Sequence, residues 1–139
     1  MSKRVKQKQI DKLLAEVKDV IEILKDHIQD AENLTYECRY FPSENIAFSE
    51  LKKHNIVFST WLANQYINFI RETIIHEIAH IIGPKDVNPK NWHGENWQND
   101  HANLLHQYRL KTGRRIVLRG DYNYEFDVIK KVKKLWRER

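Results

Sequence analysis

Two histidines four residues apart flank a glutamate in His76-Glu77-Ile78-Ala79-His80. On a helix that spacing stacks both imidazoles on one face, within reach of a single cation. Glu77 then projects beside them, placed to take a proton from an attacking water without being a ligand itself. Zinc accepts imidazole nitrogen at about 2.0–2.1 Å, and a hydrolytic centre uses three protein ligands. The ion would acidify the water and polarise a carbonyl, and Glu77 would pass the water's proton to the leaving amine. The motif is short and arises by chance in unrelated chains. Its setting narrows the choice: Ile74, Ile75, Ile78, Ala79, Ile81 and Ile82 make the surrounding segment apolar. Buried histidines beside a carboxylate are costly unless they hold a metal or a hydrogen-bond network.

The third ligand is open among three residues. Asp86 continues a pattern His76-x-x-x-His80-x-x-Gly83-x-x-Asp86, which looks like a metzincin variant turning at the glycine. Glu95 is a carboxylate of the kind that glutamate-ligated zincins use. His93 opens His93-Gly94-Glu95-Asn96-Trp97, where the glycine lets the backbone approach closely and the histidine can swing toward the preceding helix.

The elements that must position these residues follow from periodicity. Ile10, Leu13, Leu14, Val17, Val20, Ile21, Leu24 and Ile28 recur at three- and four-residue steps, predicting an amphipathic helix over about 9–30. Residues 34–58 are β-branched and aromatic, with Pro42-Ser43-Glu44-Asn45 as a turn and Ile46-Ala47-Phe48 as a short strand. Their short connections predict a mainly antiparallel sheet. Ser59-Thr60 offers an N-cap for the His76 helix, with Leu62, Tyr66, Phe69, Ile70 and Ile74 inward and Gly83-Pro84 as its stop. A helix over about 96–111 turns Trp97, Leu104, Leu105 and Tyr108 inward and ends at Thr112-Gly113. Ile116-Val117-Leu118 is a candidate strand, and a basic helix over about 125–137 has Phe126, Ile129, Val132 and Leu135 as its apolar face.

At this point the chain resembles the SprT-like metallopeptidases, the family that includes the Spartan DNA–protein crosslink proteases. Ile56-Val57-Phe58-Ser59 followed by a helix looks like the strand that leads into that family's active-site helix. His76-Glu77-Ile78-Ala79-His80 looks like its His-Glu-Leu-Ala-His core, and His93-Gly94-x-x-Trp97 is similar to its His-Gly-x-x-(Phe/Trp) element. The resemblance runs over about 46–110 and favours His93 over Asp86. It implies His76, His80 and His93 as ligands of one Zn2+ per chain and Glu77 as catalytic base. It also implies an α+β, zincin-like (minigluzincin-type) fold whose small sheet packs on the active-site helix and flanking helices. The implied activity is a zinc endopeptidase acting on protein substrates, including proteins bound or crosslinked to DNA. The single cysteine cannot build the zinc ribbon of many bacterial relatives, so a minimal domain without one is expected. Two competing readings stand beside this one: a non-catalytic, zinc-stabilised nucleic-acid-binding module, and a metzincin-like protease that uses Asp86.

The chain's 139 residues suit one domain with a core over about 34–111. Its charge of +5 points to an acidic partner, nucleic acid first, and the resemblance implies DNA, single-stranded or damaged, as that partner. The candidate contacts are Lys130, Lys131, Lys133, Lys134 and Arg137, with Lys3, Arg4, Lys6, Lys8, Arg114, Arg115 and Arg119 as further cations. Trp92, Trp97 and Trp136 are candidates for stacking on bases. Tyr66 and Tyr108 are candidate oxyanion donors. His101 and His106 are expected at the surface. Cys38 is the single cysteine, expected as a buried, inert thiol, so no intrachain disulfide forms. No apolar leader or membrane-length stretch is visible, so a soluble, cytoplasmic monomer without membrane contact is expected.

Overall fold

The apolar stripe near the N-terminus folds as anticipated into helix α1, Gln7–Leu24, with Leu13, Val17, Val20, Ile21 and Leu24 buried along one face. In the computed structural model, residues 5–41, 46–84, 92–120 and 122–137 are described. The turn expected at Pro42-Ser43-Glu44-Asn45 lies outside them, as do Lys3, Arg4 and Asp86. The first helix is shorter than its periodicity: after Leu24 the chain tightens into two 3₁₀ turns, and Ile28 nevertheless remains buried.

Three strands follow: β1 (Thr35–Arg39), β2 (Ala47–Glu50) and β3 (Asn55–Ser59). Their spatial order is β1-β3-β2. β3 is central, which is why Ile56, Val57 and Phe58 form a continuous buried run rather than alternating. The expectation of a mainly antiparallel sheet is corrected. β2 and β3 are antiparallel, but β1 and β3 are parallel, with Thr35 opposite Asn55 and Arg39 opposite Ser59. The intervening chain, residues 40–54, has room for a crossover because it places β2 on the far side of β3 before returning.

Helix α2, Ile67–Ile82, begins later than its sequence cap implied. Ser59 does act as a cap, but for a 3₁₀ segment, Thr60–Asn64, accepting from the Trp61 amide. Tyr66 is the N-cap residue of α2 and points outward, 85% exposed. Helix α3, Glu95–Thr112, ends where predicted: Gly113 adopts φ 74°, the left-handed conformation in which its amide closes on the Arg109 carbonyl at 2.8 Å. Residues 114–120 are not a strand, so the reading of Ile116-Val117-Leu118 is corrected; Ile116 still packs into the core. The Val117 amide and carbonyl bond to the Asn68 side chain, which satisfies them without a sheet partner.

The last helix, α4 (Asn123–Arg137), turns Val132 and Leu135 to the core as expected but not Phe126. Val128 and Val132 are buried one turn apart, while Phe126 is exposed. α4 packs on α3, α3 on α2, and α2 on β2 and β3, while α1 packs against α2, α3 and β1. The architecture is α+β, with helices on a small mixed sheet. Among the described residues, no helix is long and apolar enough to cross a membrane.

Candidate metal centre

His76 and His80 sit on the one polar strip of an otherwise apolar helix, since Ile70, Ile74, Ile75, Ile78 and Ile81 are buried around them. The helix stops at Ile82 because Pro84 forces the residue before it into extended backbone. Gly83 is accordingly at φ −80°, a conformation any residue adopts, so it makes no glycine-specific turn of the metzincin kind.

His93 arrives from just ahead of α3. Gly94 is the N-cap residue of that helix, and Gln98 donates its side-chain amide to the His93 carbonyl at 3.0 Å. Trp97 fastens the two helices: its indole N–H donates to the His76 carbonyl at 3.3 Å. The same ring lies 4.6 Å from His76, 5.3 Å from His80 and 4.6 Å from His93, centre to centre. The sequence element His93-Gly94-x-x-Trp97 thus has a physical meaning: a histidine, the start of a helix, and a wedge that packs against three imidazoles.

The three Nε2 atoms converge. His93 Nε2 is 3.2 Å from both His80 Nε2 and His76 Nε2. A neutral imidazole has at most one proton at that nitrogen, so hydrogen bonding cannot satisfy both contacts from His93 by donation. A shared cation satisfies all three. Tetrahedral coordination at zinc–nitrogen distances of about 2.0–2.1 Å places ligand nitrogens roughly 3.3–3.4 Å apart, close to the spacing here. The donor set and its geometry therefore fit a metal ion. Burial, with the neighbouring imidazoles adding to it, holds His76 well below its ordinary pKa and brings His80 down to about 4. Burial also lowers His93. All three are neutral near pH 7, the form that ligates.

Glu77 lies at the edge of this cluster. Its Oε2 is 3.9 Å from His76 Nε2, while Oε1 accepts a hydrogen bond from Ser49 Oγ at 2.8 Å. Burial pushes the carboxyl up to about 7, against the pull of the Ser49 hydroxyl. Glu95 is elsewhere, its carboxylate exposed and held by Lys131 of α4 at 2.6 Å. That removes it as a ligand candidate.

Three neighbours escaped sequence reasoning. His101, expected at the surface, is fully buried, with its ring 5.6 Å from His76 and 4.8 Å from Trp97. Burial drives its pKa down to about 3, and neither ring nitrogen has a partner among the described residues. Its position midway between Trp97 and Leu105, four residues from each, was the available signal. Tyr124 of α4 stacks on His93 at 4.1 Å and 13°, and burial, with the Glu125 carboxylate adding to it, pushes its phenol up. Ser49 comes from β2. No local spacing connects either of these two to the histidines. Tyr66 and Tyr108 are not at the site; Tyr108 is buried and accepts from Arg114 Nη1 at 3.0 Å.

The cations divide. Lys130, Lys133, Lys134 and Arg137 are exposed on α4, whereas Lys131 is committed to Glu95. Arg114 faces Asp19, and Arg119 lies over Phe69. Trp97 is buried, and Trp136 is covered by the Arg109 and Arg115 guanidiniums at 4.4 and 4.9 Å. Trp92 remains exposed. Cys38 is partly buried, and burial raises its thiol to about 11.

Fold and site together define an α+β domain carrying a three-histidine candidate metal centre with an adjacent carboxylate. The family model described as SprT-like matches residues 17–115, and the chain belongs to that family. The match begins within α1 and ends just after α3, so α4 and Tyr124 lie beyond it. No curated protein and no solved structure gives a match.

Proposed function

We propose that this chain is a zinc-dependent endopeptidase of zincin-like architecture, with His76, His80 and His93 holding the ion and Glu77 as general base. The observation that carries the reading is the convergence of three Nε2 atoms beside a carboxylate whose Oε2 stands 3.9 Å from His76 Nε2, outside the group of three. A purely structural site closes with four protein ligands and has no use for a base. Zinc held there supplies Lewis-acid polarisation of the scissile carbonyl and a lowered pKa for the attacking water.

The remaining work falls to the chain. Glu77 Oε2 faces the imidazoles and takes the water's proton, then returns it to the departing amine. The buried carboxyl, with its pKa near 7, is suited to moving a proton in both directions. Tyr124 takes the place of Tyr66 and Tyr108 as the hydroxyl for the oxyanion, since it is the phenol that packs on His93. The substrate lies extended along β2, the strand at one end of the sheet and directly over α2. DNA-bound protein is the substrate class to test first. The support is family membership and the four exposed cations on α4, and a protein of this kind would work in the cytoplasm.

Glu77→Gln tests the base. Zinc content by atomic absorption should stay at the wild-type level while casein or DNA-bound protein cleavage falls about a thousandfold. Tyr124→Phe in the same assay should lower kcat about a hundredfold with little change in KM. Turnover surviving in Glu77→Gln would remove this glutamate from the reaction.

A further inference from the structure

Ser49 is the one side chain outside α2 that touches the Glu77 carboxylate through a hydrogen bond among the described residues, and it stands on an edge strand. The two facts are connected through the main chain. Ser59 N donates to Ile46 O at 2.8 Å, and the register then runs Ala47 to Phe58, Phe48 to Val57, Ser49 to Ile56 and Glu50 to Asn55. Antiparallel ladders alternate between residues that bond across and residues that do not. With Ile46 bonding to Ser59, Phe48 and Glu50 also turn their main-chain groups toward β3. Ala47 and Ser49 turn theirs away. β2 has no strand on that outer side among the described residues. No described residue takes its outward N–H and C=O groups at Ala47 and Ser49, which can pair with an added strand.

The side chain of Ser49 points the other way, onto α2. Its Oγ lies 2.8 Å from Glu77 Oε1 and 3.0 Å from the Glu77 carbonyl oxygen. The hydroxyl has one proton, and the shorter contact takes most of it. Anchoring Oε1 distinguishes the two carboxylate oxygens, because Oε2 is left as the one facing His76.

We infer that Ser49 sets the register of cleavage: its backbone binds the extended substrate while its hydroxyl fixes the base, so one residue ties the position of the peptide to the position of Glu77. This rests on the endopeptidase reading above. Ser49 is a positioning residue rather than a catalytic one, because its hydroxyl acts on Glu77 and not on the reacting atoms. The two halves of its role are separable. Deleting the hydroxyl loosens the base and leaves the strand edge intact. Blocking the neighbouring outward amide at Ala47 weakens the strand edge and leaves the base held.

The experiment compares zinc-loaded wild type with Ser49→Ala, Ser49→Thr and Ala47→Pro. Proline is tolerated at an outward-facing edge position because no ladder bond is lost. Ser49→Ala should lower kcat about tenfold with KM within about twofold, as expected for losing a hydrogen bond to a charged group. Ser49→Thr, which keeps a hydroxyl on a strand-compatible side chain, should restore kcat. Ala47→Pro should instead raise KM about tenfold. A second readout needs no turnover: on the Glu77→Gln background, a fluorescein-labelled unstructured casein peptide is titrated by polarisation and zinc is measured. There Ala47→Pro should weaken the peptide by a similar factor, Ser49→Ala should leave it unchanged, and zinc content should match throughout. Unchanged kcat in Ser49→Ala, failure of Ser49→Thr to restore it, or unchanged peptide affinity in Ala47→Pro would overturn the inference. A wild type that binds the peptide at this edge but cleaves nothing would overturn the endopeptidase reading instead. A wild type that binds no peptide overturns both.

Discussion

Helices α2 and α4 each hold a cluster of polar side chains, and they treat it in opposite ways. On α2, Glu77 is buried and His76 and His80 are half-buried, and desolvation moves each one away from its ordinary pKa. On α4, Lys130, Lys133, Lys134 and Arg137 lie in water and fan outward. Burying a polar group costs several kcal/mol unless something satisfies it, whereas an exposed cation costs almost nothing. A buried polar cluster therefore demands an explanation that an exposed one does not. This is why the chemistry proposed at α2 stands on its geometry, while the nucleic-acid role proposed for α4 needs a binding measurement. The ends of α4 repeat the contrast, since Tyr124 at its start is packed on His93 and the exposed cations lie beyond it.

The largest effect expected from challenging this contrast is at the third ligand. His93→Ala should cost zinc affinity by orders of magnitude, read by competition with a chromogenic chelator, while Glu95→Ala should leave it within about twofold. Zinc loss in the second variant rather than the first would move the centre off α2. A smaller effect is expected from pH on the metal-free protein. His80 and His101 have folded pKa values of about 4 and about 3, below the ordinary histidine value of 6.5. The unfolded chain therefore binds more protons as pH drops below 6.5, so stability present above that point is lost progressively toward pH 3. Urea unfolding of the chelated protein should show a decline of a few kcal/mol over that window, approximately. A flat profile would mean the imidazoles are hydrated. The smallest effect is at α4: Lys130, Lys133 and Lys134 changed together to Ala should shift stability by about 0.5 kcal/mol or less. The same variant should reduce the salt dependence of single-stranded DNA binding by filter assay. Unchanged salt dependence would leave those lysines as a solvated face.

Much of this was legible in the chain, and the limits have physical causes. The stripe from Leu13 to Leu24 declared α1 because its period is local, and Trp97, Leu104, Leu105 and Tyr108 declared α3 in the same way. His76 and His80 were legible because a helix turns a four-residue spacing into adjacency. His93 needed the resemblance, since spacing alone left Asp86 and Glu95 in contention. The parallel pairing of β1 with β3 was not legible, because pairing depends on where β2 goes and not on composition. Ser49 is 28 residues from Glu77, and Tyr124 reaches His93 from another helix; no periodicity spans such gaps. His101 was missed for a different reason. Its residue type argued for the surface, while its place between Trp97 and Leu105 argued for the interior, and packing decided.

The candidate ligand cluster, His76, His80 and His93, has a consequence for redox behaviour. It is built from nitrogen alone, and the chain's one sulfhydryl, Cys38, is held largely protonated with its pKa near 11. A thiolate-ligated centre is open to peroxide, which oxidises the sulfur and releases the ion. Imidazoles offer peroxide no such handle, and a protonated thiol reacts slowly. A centre of this composition would keep its metal under oxidative conditions that empty cysteine sites.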